Sequence, residues 1–204
     1  MKTIDASYQI ETFNPVQDVH DICLGYCICY NTPMPKDFIE QCKLIRRHRN
    51  HGSPLEHSRL TVLFTINRGV SHELVRHRHT SYSQESTRYC NYSKDRFGNE
   101  LTFINDIAIA KDSSAYKKWL DCRTLDENEY FDRLNFGQTP EQARGCLPID
   151  ISTKLLVTTN LREWRDIFSL RCDSHAHYQM REVMQPLFKE VCAILPCVFD
   201  DIVF

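Results

Sequence analysis

Residues 76–89 read RHRHTSYSQESTRY. Three arginines and two histidines fall here beside a run of serine and threonine hydroxyls, with Gln84 and Glu85 between them. Few of these side chains suit a core. Arginine carries a planar fork of donors matched to phosphate and carboxylate. The hydroxyls, amide and backbone between Arg76 and Arg88 supply further hydrogen bonds around a bound anion. The composition alone also fits a solvated polar loop, since connecting segments are generally polar and exposed. The order of the residues favours a cradle for phosphorylated ligands.

Working outward, the preceding segments deliver the chain to this cradle. HGSPLEH (residues 51–57) leads into RLTVLFTI (59–66), which has the apolar density of a buried central strand. Asn67-Arg68-Gly69 turns the chain, and residues 70–76 read as a short helix. A zinc-protease motif is approached but not met. His72-Glu73-Leu74-Val75-Arg76-His77 separates its histidines by five positions. A shared helix face needs four, and five splays the pair by more than about a hundred degrees. His175 and His177 stand two apart and do not share a helix face either, so no metal site is expected.

Upstream, the first dozen residues suggest an edge strand. Pro15 begins a helix with Val16, Val19, Ile22, Cys23 and Tyr26 on one apolar face, ended by Asn31-Thr32-Pro33. A second helix, about 36–49, directs Phe38, Ile39, Cys42 and Ile45 inward and closes on a basic cluster that suits a helix C-terminus. Downstream, residues 89–92 and 101–104 suggest strands, and residues 113–134 look helical. Thr139-Pro140-Glu141-Gln142 is a capping box, opening a short helix that carries Arg144. Residues 153–159 read as a second buried strand, 160–171 as a helix, and 176–194 as the last long helix.

At 204 residues the chain suits one substantial core, and a single domain over 1–204 is expected. Lys and Arg total 25 against 27 for Asp and Glu. That near balance argues against a dedicated nucleic-acid binder, which reads its partner through a basic field. Any phosphate binding must be local. The apolar run at 22–30 falls short of the roughly 20 residues of a membrane helix, and MKTIDASYQIETF lacks a signal-peptide core. The expected setting is cytoplasmic, without a membrane partner. Ten cysteines with no CxxC pair then read as reduced, structural thiols. No glycine pattern supports a Rossmann fingerprint or a P-loop.

The spacing RHRxxSxxxxSxR, formed by Arg76, His77, Arg78, Ser81, Ser86 and Arg88, resembles the signature of the flavin-dependent thymidylate synthases. The similarity extends in order to HGSPLEH, to QARGCLP around Arg144, and to NLREWRDIFSLRCDSHAHYQMRE from Asn160 to Glu182. It covers roughly residues 40–190. The resemblance implies an α/β (α+β) domain with a central, mostly antiparallel sheet flanked by helices. It implies reductive methylation of dUMP to dTMP, with 5,10-methylenetetrahydrofolate giving the carbon and NADPH reducing bound FAD.

By the same resemblance, His51, Ser53, Arg76, His77, Arg78, Gln84, Asn160, Leu161, Arg162 and Asp166 are expected at FAD. Glu73, Arg76, Gln84, Glu85, Ser86, Thr87, Arg88, Arg144 and Arg171 are expected at dUMP. Arg171 matches the arginine that favours ionisation of uracil N3, a role in keeping with a preorganised charge beside a developing anion. Ser86 has no activating histidine and acid in sequence, and is assigned to binding. Family members are homotetramers with shared active sites, so an isolated monomer is expected neither to retain FAD nor to turn over. Two positions depart from the family pattern: Asp166 stands where His or Asn is more usual, and Ser83-Gln84 replaces Asn-Glu. A related flavoenzyme acting on another pyrimidine nucleotide, a non-catalytic nucleotide-binding module and an RNA-binding protein are the alternatives.

Overall fold

The computed structural model describes residues 1–204. Its strands are β1 (Lys2–Ile4), β2 (Ser7–Phe13), β3 (Leu60–Asn67), β4 (Ser81–Gln84), β5 (Thr102–Ile104) and β6 (Ser152–Thr159). Its helices are α1 (Pro15–Tyr30), α2 (Phe38–His48), α3 (Arg68–Leu74), α4 (Ser114–Asn135), α5 (Pro140–Ala143), α6 (Leu161–Arg171), α7 (Tyr178–Ile194) and α8 (Pro196–Phe199). Four strands pair in the order β2-β3-β6-β4, and β1 pairs with β5 in parallel. The architecture is the expected mixture of helices and an antiparallel sheet. No helix is long and apolar enough to cross a membrane.

The chain divides into two compact units. The first comprises Met1–Ser7, Phe64–Leu74 and Ser83–Leu155, and the second Tyr8–Leu63, Val75–Tyr82 and Leu156–Phe204. In the first, Tyr92, Leu101, Phe103, Tyr130, Ala143 and Ile151 form the core. Its long helix α4 is fixed at buried polar points. Glu127 accepts from the Leu101 N–H at 2.8 Å, and the Tyr116 hydroxyl donates to Asn105 Oδ1 at 2.7 Å. Trp119 and Arg123 both donate to Asp150.

The second unit has an aromatic core in which Phe168 packs against Trp164, Phe188 and Phe199. All of Val19, Ile22, Cys23 and Tyr26 on α1 are buried, as are Leu161, Trp164, Ile167 and Phe168 on α6. The 3.6-residue period therefore marks the faces that face inward. An arginine clamp closes the C-terminal end. Arg46 and Arg49, from the end of α2, pair with Asp200, and Arg49 and Arg165 pair with Asp201.

Local sequence explains most element boundaries. Asn14 accepts from the Gln17 N–H ahead of Pro15, and Asn31 adopts the left-handed conformation that stops α1. Asp37, Ser113 and Asn160 cap α2, α4 and α6 in the same way. Thr139 and Gln142 form the expected capping box. α5 lasts one turn, however, and Arg144 lies in the 3₁₀ turn that continues it.

Several expectations are corrected. A strand lies inside the cradle at Ser81–Gln84, whereas residues 89–92 form no strand and follow a turn that the Tyr89 and Cys90 N–H groups close on the Ser86 carbonyl. The N-terminal stretch is two short strands rather than one. Phe38 and Ile39 are exposed and only Ile45 of α2 is buried, while Val16 of α1 is also exposed. Of the ten cysteines, all free, four are buried and two exposed.

Candidate functional site

In the second unit, the turn before β3 and the start of α6 are tied together by one hydroxyl. Ser58 donates to the Leu55 carbonyl at 2.6 Å and accepts from the Leu161 N–H at 2.9 Å. Asn160 accepts from the Glu163 N–H at 2.9 Å. These contacts fix a cavity of about 370 Å³ lined by Glu56, His79, Asn160, Arg162, Glu163 and Asp166. Asn160, Arg162 and Asp166, three of the residues expected at FAD, thus line one cavity. Leu161 is not at this surface by its side chain, which is fully buried.

HGSPLEH supplies the neighbouring wall. Gly52 lies against Arg162, and Arg162 donates to Glu56 at 2.6 Å. His51 is held through both ring nitrogens, by the Tyr30 hydroxyl at 3.0 Å and by Ser53 Oγ at 3.3 Å. Arg76 and Arg78 are exposed.

His77 is different: its side chain is only 9% exposed. Arg171 Nε donates to His77 Nε2 at 3.1 Å, and Glu163 Oε1 lies 3.5 Å from His77 Nδ1. Burial and then the adjacent Arg171 guanidinium hold the imidazole below the ordinary histidine range, against an opposing pull from Asp166. Burial and the Asp166 charge push the Glu163 carboxyl upward. The Tyr82 hydroxyl donates to the His77 carbonyl at 2.9 Å, anchoring the same segment.

The first unit holds the remaining motif residues. Gln84 Nε2 donates to Ser71 Oγ at 2.8 Å and to Thr153 Oγ1 at 3.3 Å. Its amide nitrogen is therefore committed to the protein. The Glu85 backbone donates to the Lys154 carbonyl at 2.9 Å and accepts from Arg68 at 2.7 Å. Its carboxylate accepts from Tyr92 at 2.9 Å. Burial, then Glu85, raises the Tyr92 phenol, which keeps it a donor. Thr87 is buried. Ser86 Oγ accepts from the Arg88 N–H at 3.3 Å, and Arg88 pairs with Glu141 at 3.0 Å in the open. Glu73 is half-buried on α3, and Arg144 is exposed.

A second cavity, of about 440 Å³, opens beside Glu85 and Tyr92 and is also lined by Lys2, Arg96 and Lys154. Those three cations, with Arg68, Glu56, His79 and Glu163, were not singled out in the sequence. Lys154 carries a visible signal as the lone charge in an otherwise uncharged strand. Glu163 carried a weaker one as the acidic first turn of α6.

The residues of the second unit fit one end of a dinucleotide. A cavity of 370 Å³ is at the small end of ligand sites, about 300–1,000 Å³. Gly52 leaves space that a Cβ would take from Arg162. Arginines, histidines and the N-terminal end of α6 supply donors for phosphate or for a polar ring edge.

Comparison with known proteins identifies the family. Residues 22–197 match the family described as thymidylate synthase complementing protein. The flavin-dependent thymidylate synthase of Pyrococcus furiosus is 38% identical over 144 residues, 69% of this chain and 57% of the relative. That of Mycobacterium tuberculosis is 34% identical over 164 residues, 74% of this chain and 64% of the relative. The chain thus spans somewhat over half the length of these relatives. Among solved structures, the Streptomyces cacaoi UMP/dUMP methylase PolB bound with 5-Br dUMP has the same fold. It superposes with a TM-score of 0.79 over 97% of this chain and 95% of that one, at 19% identity. With its motif residues held in order and the family match running through all of them from His51 to Arg171, the chain belongs to the thymidylate synthase complementing protein family.

Proposed function

We propose that the protein is a flavin-dependent thymidylate synthase that converts dUMP to dTMP, with 5,10-methylenetetrahydrofolate as carbon donor and NADPH as reductant. The observation that carries this reading is the family match over residues 22–197, which contains every ligand-binding residue assigned below. The identities of 38% and 34% to relatives with that name support it further.

FAD is held in the second unit by His51, Ser53, Arg76, His77, Arg78, Asn160, Arg162 and Asp166, with the Leu161 backbone beside them. When bound, it would supply the hydride-transfer chemistry. Arg162 first has to exchange its Glu56 partner for the ligand. dUMP is held by Glu73, Arg76, Glu85, Ser86, Thr87, Arg88, Arg144 and Arg171. Gln84, expected at both ligands, acts by holding β4 in place through Ser71 and Thr153.

The chain's own chemical contribution is charge placed in advance. Substitution at C5 requires an electron-rich uracil ring. A guanidinium fixed beside N3 and its carbonyl stabilises the ring anion without reorganising at the moment of reaction. Arg171 supplies that charge. His77 accepts its Nε–H, so the guanidinium is oriented rather than merely nearby.

The assembly is proposed to be a homotetramer working in the cytoplasm. Val16, Leu24 and Ile28 on α1 are exposed apolar side chains, suited to burial against another copy. Light scattering is expected to give four times the 24.0 kDa of one chain.

The test is the absorbance spectrum of the purified or FAD-reconstituted protein under anaerobic NADPH, with and without dUMP. Flavin bands that bleach, at a rate altered by dUMP, support the cofactor, the reductant and the nucleotide together. A protein that takes up no flavin contradicts the reading. UMP belongs in the same experiment, because the Streptomyces neighbour is described as acting on both nucleotides. A response to UMP in preference to dUMP would favour a related pyrimidine methylase.

A further inference from the structure

We propose that His77 is the positioning residue for Arg171: a neutral imidazole protonated at Nδ1, facing Glu163, that receives the Arg171 Nε–H at Nε2 and fixes the guanidinium plane. The catalytic half of this proposal rests on the function given above. The contact itself does not.

Three observations carry it. Arg171 Nε lies 3.1 Å from His77 Nε2. An arginine nitrogen only donates, so Nε2 must be the acceptor and the ring proton must sit on Nδ1. On that side the nearest acid is Glu163 Oε1 at 3.5 Å, and the two side chains are 9% and 13% exposed. A histidine tautomer is set by what its other nitrogen faces, and Glu163 Oε1, at the outer limit of hydrogen-bond distance, is the acid that Nδ1 faces. Third, the backbone beneath the ring is immobilised by the Tyr82 hydroxyl on the His77 carbonyl.

The geometry has a consequence for arginine. Nε is the donor on the side-chain stem, so holding it sets the rotation of the whole planar fork. A long side chain otherwise has considerable rotamer freedom to lose on each encounter with substrate. Protonation at Nε2 would abolish the acceptor and set an imidazolium against a guanidinium. The charged or titratable groups facing His77 are Glu163, Asp166 and Arg171 on α6 and Tyr82 on β4, with Arg76 and Arg78 flanking it in the chain. Acid therefore uncouples Arg171 while leaving its own charge intact.

The first arm of the test needs no turnover. Nitrogen-15 NMR of the imidazole in the full-length protein is expected to show a neutral Nδ1–H tautomer, titrating below the ordinary value near 6.5. In Arg171→Leu the titration moves upward and the tautomer becomes mixed. An Nε2–H tautomer in the unmodified protein, or a titration indifferent to Arg171→Leu, overturns the proposal.

The second arm compares His77→Gln, whose amide oxygen offers a neutral acceptor in place of Nε2, with His77→Leu. Rates are normalised to bound flavin, since His77 is also assigned to the cofactor. His77→Leu is expected to lower kcat about 100-fold, with a smaller change in KM for dUMP. His77→Gln is expected to recover part of that loss and to remove the acid limb of the kcat profile. Equal losses in both variants, or an acid limb that persists in His77→Gln, overturn the positioning role. If the unmodified protein forms no dTMP, the functional reading fails, and the NMR result still decides the His77–Arg171 contact.

Discussion

The backbone of Gly52 faces the guanidinium of Arg162 so closely that a Cβ added to the glycine would lie 2.9 Å from Nε and 3.2 Å from Cζ. Glycine is needed here for close approach rather than for an unusual backbone angle, since Gly52 has φ −69°. HGSPLEH and the first turn of α6 are thereby matched across a gap in the sequence.

Gly52→Ala is expected to push Arg162 out of place at little structural cost, because the obstructed atoms end a flexible side chain. Stability should change by about 0.5 kcal/mol or less, measured by urea unfolding. Flavin retained after gel filtration should fall severalfold. Unchanged flavin content in a well-folded variant would separate Arg162 from the cofactor.

Arg171→Lys keeps the charge but loses the planar fork and the Nε donor that meets His77. kcat is expected to fall about 10²–10³-fold, with KM for dUMP changing less. Steady-state kinetics decide this, and a pure KM effect would assign Arg171 to binding alone.

Ser58→Ala leaves the Leu161 N–H and the Leu55 carbonyl without their shared partner. A stability loss of about 1–3 kcal/mol is expected, read as a lower urea midpoint with the same m-value. Flavin affinity should fall with it, because the hydroxyl joins the two segments that line the cavity.

Hydrogen bonds from Arg165 hold the Asp201 carboxyl below its ordinary value, against burial. At Asp200, burial acts upward and is outweighed by Arg49 and Arg46. Carboxylates depressed in the folded state contribute stability that is present above their unfolded value of 3.8 and lost as pH falls through the lower folded values. Acid titration of the melting temperature should show that decline. Asp201→Asn should make the decline shallower and lower stability at neutral pH, since Arg165 loses its carboxylate partner and Arg49 keeps only Asp200.

Elements with strong local signals were legible in the sequence. Pro15 and Asn31 bracket α1, Thr139 to Gln142 open α5, and the alternation of β6 leaves Thr153, Leu155, Val157 and Thr159 buried. β4 was not legible, because Ser81–Gln84 is polar on both faces and owes its conformation to pairing rather than propensity. The exposure of Phe38 and Ile39 escaped for the opposite reason: apolar character places a residue on a face but does not say that the face is covered. At the site, the order of motif residues was readable, whereas their partners were not. Nothing local indicates that Glu163 would meet His77, or that Gln84 would spend its amide on Ser71 and Thr153.

The most direct test of the account is dTMP formation by the FAD-loaded protein from dUMP, 5,10-methylenetetrahydrofolate and NADPH, followed by mass spectrometry. A product heavier than dUMP by one CH₂ is expected, formed only with flavin present and sharply reduced in Arg171→Lys. Flavin-loaded protein that leaves dUMP unchanged, or methylation that proceeds equally well without flavin, would contradict it.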